Sequence, residues 1–136
     1  MSDDPFASCT ETEAAASGMR LGVFEWEGAA ALADGRSVAL VVYWEPEFDG
    51  PLGPVVATAR TAWPRVRAAE FGFRRALVDD LVARWRPVLP EDIPPATVRF
   101  VADGSSEICY GTFMDGEHHV VVEVSSAGEY LGWRAE

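Results

Sequence analysis

The sequence contains no lysine, only two cysteines and no long apolar run. All 11 basic residues are arginine, against 22 acidic residues, so the net charge is −11. Such an acidic chain repels phosphate backbones and anionic lipid, which argues against binding to nucleic acid or membranes and favours basic partners. No stretch reaches the roughly 18 apolar residues of a membrane span, and the acidic start lacks the features of a secretory signal. We expect a cytoplasmic protein.

The cysteines and the known catalytic motifs are equally sparse. Cys9 and Cys109 have no spacing signature, and a reducing cytosol would keep both as free thiols. The chain contains none of the glycine-rich, serine-centred or histidine and cysteine motifs of nucleotide, hydrolase and zinc sites. We therefore expect no cofactor and no disulfide.

The length of 136 residues fits one domain, and 49% hydrophobic residues predict a globular core. Residues 1–18 are rich in Ser, Thr, Ala and acids without a sustained apolar period, so they are predicted to form a disordered acidic tail. Residues 19–136 are predicted to form a single α+β domain.

Two segments of the N-terminal half predict a β-hairpin. VFEWEG alternates aromatic and acidic residues, and SVALVVYW is a β-rich apolar run. Asp34 and Gly35 between them are a turn signal.

The central segment predicts a long helix. From Pro64 onward apolar residues recur at steps of three or four, which places them on one helical face: Val66, Ala69, Phe73, Leu77, Leu81 and Trp85. Pro64 suits a first helical position, and residues 54–62 are expected to form a preceding helix or a first segment, kinked or broken at Trp63 and Pro64. Glu70 with Arg74 predicts an i,i+4 pair on a solvated face.

The C-terminal part predicts a three-stranded meander with turns at the two Asp-Gly pairs. If both are two-residue loops, one face should carry Val98, Phe100, Cys109, Phe113, Val120, Val122 and Val124. The closing EYLGWRAE could add an edge strand or a terminal turn. The predicted fold is α+β, an antiparallel sheet of about five strands packed on one long central helix.

One hairpin concentrates residue types that can bind metal. His118 and His119 precede the last apolar strand, and Cys109 lies on the strand before it. Metal ligands must converge to about 2.0–2.3 Å around one ion, and the predicted register separates these three. A structural role is therefore favoured, with a metal-dependent hydrolase using His118, His119 and Cys109 as the alternative.

The loop WEPEFDG is the second candidate site. Glu45, Glu47 and Asp49 could hold a hard cation, but the spacing fits no calcium loop, which favours a solvated acidic loop. Trp44 beside these acids could act as an aromatic anchor for a basic protein. Trp44, Glu45, Glu47 and Asp49 are therefore the predicted binding residues.

The order of several short motifs resembles an uncharacterised bacterial family, domain-of-unknown-function family 2262, over about residues 20–136. The positions that carry the resemblance are Trp26 and Gly28, the helix from Pro64, Asp103 and Gly104, Tyr110, and Gly116 with His118 or His119. The chain departs from the family pattern because Glu117 separates the glycine from the first histidine. The resemblance implies a small cytosolic α+β protein, and small acidic bacterial proteins include immunity proteins that bind toxins.

These observations together predict a non-enzymatic protein-binding module, including the immunity type, that recognises a basic partner. It should be a monomer or weak homodimer, with no nucleic acid and no membrane among its partners.

Overall fold

The computed structural model describes residues 4–16, 19–20, 22–84, 93, 95–111 and 119–135. The elements in these ranges are α1 (Glu11–Ala16), β1 (Met19–Arg20), β2 (Val23–Ala31), β3 (Ser37–Trp44), α2 (Pro46–Asp49), α3 (Leu52–Arg84), β4 (Pro95–Phe100), β5 (Ser106–Tyr110), β6 (Val120–Val124) and β7 (Tyr130–Ala135). Among them, no helix is long and apolar enough to cross a membrane.

The seven described strands form one sheet in chain order, β1 to β7. Every neighbouring pair is antiparallel except β3 and β4, which are parallel. A parallel pair needs a long return connection, and α3 supplies most of it. The α+β class is confirmed. The sheet has more strands than the expected five because β1 adds a two-residue edge and the chain end forms β7.

Three hairpins of the sheet share one turn geometry. Each has a three-residue loop whose last residue is a glycine in the left-handed region, with φ of 90° at Gly35, 95° at Gly104 and 86° at Gly128. In each, the glycine N–H donates to the carbonyl three residues earlier. A positive φ favours glycine because it has no Cβ, and this loop is a common hairpin connection.

The predicted register of β5 is wrong by one residue, because the loop between β4 and β5 has three residues where two were expected. Ile108, not Cys109, lies opposite Val98 in β4. One extra loop residue shifts the pairing by one, and such a shift exchanges the two faces of a strand. Cys109 therefore lies opposite Val121, on the other face from the one predicted. Phe113 lies outside the described residues.

The central helix is longer than predicted. α3 begins at Leu52 and continues through Pro64 without a break. Residues 54–62 therefore belong to its first segment, and the alternative of a separate preceding helix is wrong. Proline removes one backbone hydrogen bond, and packing of Val55, Val56 and Trp63 into the core compensates. The predicted helical face is buried at Val66, Phe73, Leu77 and Leu81, whereas Trp85 lies outside the described residues.

The N-terminal segment differs from the predicted tail. Residues 4–16 include a helix, and Phe6, Cys9 and Ala14 are buried in the core. The Phe6 ring packs edge-on against Phe100 with centroids 5.4 Å apart. Phe6, Cys9 and Ala14 together dock a segment whose composition alone resembles a disordered one.

The sheet has a covered face and an open face. The covered face packs against α3 and the N-terminal segment, and its strand residues are Trp26, Val38, Leu40, Val42, Trp44, Val98, Phe100, Ile108, Tyr110, Val120, Val122 and Val124. The open face carries the alternate residues Glu25, Glu27, Tyr43, Arg99, Glu107, Cys109, Val121, Glu123 and Arg134.

Candidate functional site

The structure buries Trp44, which the sequence predicts as a surface anchor. Its side chain is 8% exposed because position 44 continues the covered-face alternation of Leu40 and Val42. The indole N–H donates to the Gly50 carbonyl at 2.7 Å, and the ring packs on Phe24 with centroids 5.3 Å apart. Trp44 is a core residue that ties the end of α2 to the sheet.

The three predicted acids do lie together, on α2 and the residue before it. Pro46 opens α2, where its missing N–H costs nothing. The backbone N–H of Glu45 donates to Asp49 Oδ2 at 2.9 Å, which closes the short turn. Phe48, between Glu47 and Asp49, is 80% exposed, the largest value among the exposed large apolar side chains of the described ranges.

Glu25 brings a further carboxylate to this end of the sheet. It pairs across the strands with Tyr43, two residues before Glu45, and is exposed. Burial raises the pKa of Tyr43, and Glu25 raises it further, while Arg99 opposes the shift. We name Glu25, Glu45, Glu47, Phe48 and Asp49 the acidic surface. Within the described chain, none of the ion pairs involves its members on α2 or Glu45.

The other end of the open face carries arginines between its acids. Arg134 on β7 binds Glu107 at 2.8 Å and Glu123 at 2.6 Å. Arg99 on β4 lies 3.5 Å from the second oxygen of Glu107. Glu107 and Glu123 face each other directly across β5 and β6, a repulsive arrangement that Arg134 bridges. This arginine ladder neutralises the acids of β5 and β6.

A buried polar cluster joins α3 to the covered face. Arg74 Nε donates to Glu70 Oε2 at 2.8 Å, and Arg74 Nη2 donates to Glu70 Oε1. The Tyr110 hydroxyl donates to Glu70 Oε2 at 2.8 Å, and Arg74 Nη2 also reaches Asp34 Oδ2 at 3.3 Å. The predicted i,i+4 pair of Glu70 and Arg74 is thus present, but it is buried, not solvated.

The cluster shifts the pKa values of its members in the directions that preserve it. The hydrogen bonds that Arg74 donates to Glu70 raise the pKa of Arg74. Burial and, after it, the Glu70 charge raise the pKa of Tyr110. Glu70, Arg74 and Tyr110 are nearly inaccessible, and only Asp34 reaches the surface. Because no reacting group could reach the buried members, the cluster is a structural connection between helix, sheet and turn.

The observed register of β5 places Cys109 of the alternative metal site on the open face of the sheet, not on the covered face. Cys109 is buried on the open face, and His119, which is exposed, precedes β6. His118 lies outside the described residues. Among those described, no three His, Cys, Asp or Glu side chains form a group that could hold a metal ion.

Phe48 is the residue that the sequence reasoning overlooked. A proline and a glycine bound the tetrapeptide in which it lies, and acids flank it on both sides. Periodicity does not separate Phe48 from the core, because Trp44 and Leu52 lie four residues before and after it. Its acidic neighbours are the local sign of exposure.

Comparison of the chain with protein-family models, with curated proteins and with solved structures found no match.

Proposed function

We propose that this protein is a non-enzymatic protein-binding module that binds a basic partner through the acidic surface. The observation that supports this most is Phe48, an exposed aromatic ring flanked by Glu47 and Asp49. An exposed apolar residue costs free energy in water, and burial against a partner recovers it. Aromatic anchors surrounded by a polar rim are typical of protein interfaces.

The charges of the acidic surface add selectivity for the partner. Among the described residues, Glu45, Glu47 and Asp49 form no ion pair and keep their field, whereas the arginine ladder cancels that of Glu107 and Glu123. With a net charge of −11, the molecule attracts cationic proteins, and this attraction accelerates association and weakens with salt. Neutralisation of a basic toxin, as by an immunity protein, is one form that this function could take.

The test is a pull-down from the native host with the protein as bait. Expected is a partner with excess basic residues, recovered well at low ionic strength and poorly at high ionic strength. Phe48→Ala should reduce the recovery strongly. The matched control is Leu131→Ala, which truncates an apolar side chain that is also exposed but lies on β7.

Two results would contradict the proposal. One is an acidic partner whose recovery does not change with salt. The other is equal loss of recovery with Phe48→Ala and Leu131→Ala, which would show that the acidic surface has no particular role.

A further inference from the structure

Over most of its length, the outer edge of β2 has no strand partner among the described residues. β1 pairs only with Val23 and Phe24, so from Glu25 to Ala31 no described strand lies outside β2. At the rise of a strand, these residues span about 23 Å. An open edge presents backbone N–H and C=O groups to which another strand can bond.

The hairpin turn determines which backbone groups point outward. The Leu32 N–H donates to the Arg36 carbonyl at 2.8 Å, so the backbone groups of Leu32 face β3. Alternate residues of an edge strand bond on opposite sides. The backbone groups of Ala31, Ala29 and Glu27 therefore face away from β3.

A contact from α3 confirms that the Ala31 carbonyl points away from β3. Arg67 Nε donates to the Ala31 carbonyl at 2.9 Å, from outside the sheet. The outward N–H and C=O groups of Ala29 and Glu27 have no bonding partner among the described residues. Two residues of β2 are thus available to pair with an added strand.

A groove runs beside this edge on the helix side of the sheet. Its volume is about 780 Å³, and it is lined by Ala29–Ala31, by the segment around Pro5 and by Trp63 and Ala68 of α3. Pockets that hold ligands have volumes of roughly 300–1,000 Å³. Asp4 and Arg67 are the charged residues of the lining, and the other lining residues are small or apolar, so part of the groove can accept apolar side chains.

An added strand would present its side chains to two different environments. Alternate residues point to opposite faces of a sheet. One set would enter the groove beside Ala30 and Trp63, and the other would lie on the open face beside Glu25 and Glu27, which are exposed. Opposite charges stabilise a cross-strand pair and like charges destabilise it.

We propose that the outer edge of β2 binds an extended peptide segment in which basic and apolar residues alternate. The basic character of the partner rests on the proposed function. The extended conformation of the bound segment is what this inference adds. Strand addition supplies backbone hydrogen bonds, and the two side-chain environments supply selectivity. A second copy of this chain is disfavoured because two paired β2 edges would gather their glutamates on one face.

The probe is a synthetic peptide of about seven residues, the length of the open edge, with alternating arginine and valine and blocked ends. Its affinity is measured by calorimetry at low ionic strength. Hydrogen exchange of the complex is measured by NMR, and the amides of Glu27 and Ala29 should exchange more slowly with the peptide bound. The same peptide with methylated backbone nitrogens keeps its charge but cannot pair, so it should bind much more weakly.

Ala29→Pro removes one outward N–H, and proline is tolerated at an edge position of this kind. It should weaken peptide binding about tenfold, the effect of one or two lost hydrogen bonds. The matched control is Ala33→Pro at the first position of the adjoining turn, where proline is favoured. Melting curves verify that both variants fold.

Glu27→Arg provides a second variant that preserves the backbone. It should weaken binding of the basic peptide, whereas Glu129→Arg, at an exposed acid of the β6–β7 turn, should change it far less. A smaller difference at high ionic strength would agree with the charge argument.

The outcomes separate this inference from the proposed function. No binding of the peptide, or binding unaffected by both Ala29→Pro and methylation, overturns the β2 edge. Protection confined to α2 together with loss of affinity in Glu47→Arg overturns it too, but leaves the proposed function intact. Self-association that Ala29→Pro abolishes would assign the edge to a second copy instead. If the edge binds the peptide but the pull-down shows no dependence on Phe48, the proposed function alone fails.

Discussion

The covered face and the open face of the sheet use the same two residue types, arginine and glutamate, in different ways. On the covered side Arg74 and Glu70 are buried and share their hydrogen bonds with Tyr110. On the open side Arg134 bridges Glu107 and Glu123 in contact with solvent. Removal of a partner from a buried pair leaves an uncompensated charge, whereas solvent replaces a lost partner at the surface. An arginine–glutamate pair can therefore be essential to stability on the covered face and dispensable on the open face.

The sharpest test of the covered face is Phe73→Ala. Phe73 is buried and stacks on Tyr130 with centroids 6.2 Å apart. Truncation should lower the free energy of unfolding by about 3–5 kcal/mol, measured by chemical denaturation. Phe71→Ala, two residues along the same helix at an exposed position, should cost less than about 1 kcal/mol. Equal losses would mean that the other face of α3 packs on the sheet.

Arg74→Met tests the buried ion pair. It leaves the Glu70 carboxylate buried without its cation, so the free energy of unfolding should fall by about 3–5 kcal/mol. Arg75→Met removes the neighbouring exposed arginine and should change stability by less than about 0.5 kcal/mol. Denaturation curves of the two variants, which carry the same substitution, give the comparison directly. Similar midpoints would show that the cluster is solvated.

The pH dependence of stability tests the docking of the N-terminal segment. Burial raises the pKa of the Cys9 thiol from 9.0 to about 11, and Arg60 opposes part of the shift. The unfolded chain therefore loses this proton at a lower pH than the folded chain does. The contribution is complete below pH 9 and is lost as pH rises to about 11, with a slope of at most about 1.4 kcal/mol per pH unit.

Cys9→Ala should make the alkaline fall in stability less steep, measured by denaturation at a series of pH values between neutral and alkaline. Buried tyrosines contribute to the fall in both proteins, so the difference between the two curves isolates the thiol. Superimposable slopes would show that Cys9 is accessible to solvent in the folded protein.

Arg134→Met tests the arginine ladder on the open face. It removes two ion pairs that are partly or fully exposed, each with a typical contribution of about 0.2–1 kcal/mol, and leaves Glu107 opposite Glu123. We expect a loss near 1 kcal/mol that decreases at high ionic strength, measured by denaturation at two salt concentrations. A loss as large as that of Arg74→Met would remove the distinction between the two faces.

His119→Ala should produce the smallest change. The residue is exposed at the start of β6, so the free energy of unfolding should change by less than about 0.5 kcal/mol. Melting curves with and without zinc, together with elemental analysis of the untagged protein, complete the test. A stoichiometric ion that the combined His118→Ala and His119→Ala substitutions remove would favour the metal-dependent hydrolase.

The sequence predicts the parts of this fold that depend on local periodicity. The strand alternation around Trp26 and Val42 and the helical spacing of Phe73 and Leu77 each report one buried face, whatever the partner on the other side is. The register of β5 depends on loop length, and Ala-Asp-Gly is compatible with loops of two or three residues. Ile108, Cys109 and Tyr110 are consecutive and apolar or aromatic, so alternation could not correct the error.

The candidate site was predictable only in part for a similar reason. The acids Glu45, Glu47 and Asp49 lie within one short stretch of the chain, and their proximity follows from the sequence. The burial of Trp44 depends on its strand face, and no periodicity reports the exposure of Phe48. The cluster of Glu70 and Tyr110 joins residues 40 positions apart, and no local pattern reports such a distant contact.

The parallel pairing of β3 and β4 divides the folding of the described sheet into two local parts. The hairpin of β2 and β3 and the meander from β4 to β7 each need only short loops to close, and such closures are fast. The β3–β4 ladder, from Ala39 opposite Thr97 to Val42 opposite Phe100, joins segments separated by the whole of α3. Closure of that long loop has the largest entropic cost. We expect this ladder, with the α3 contacts that support it, to limit the rate of folding, and substitutions at Leu40 or Val98 to slow refolding more than substitutions at the hairpin ends.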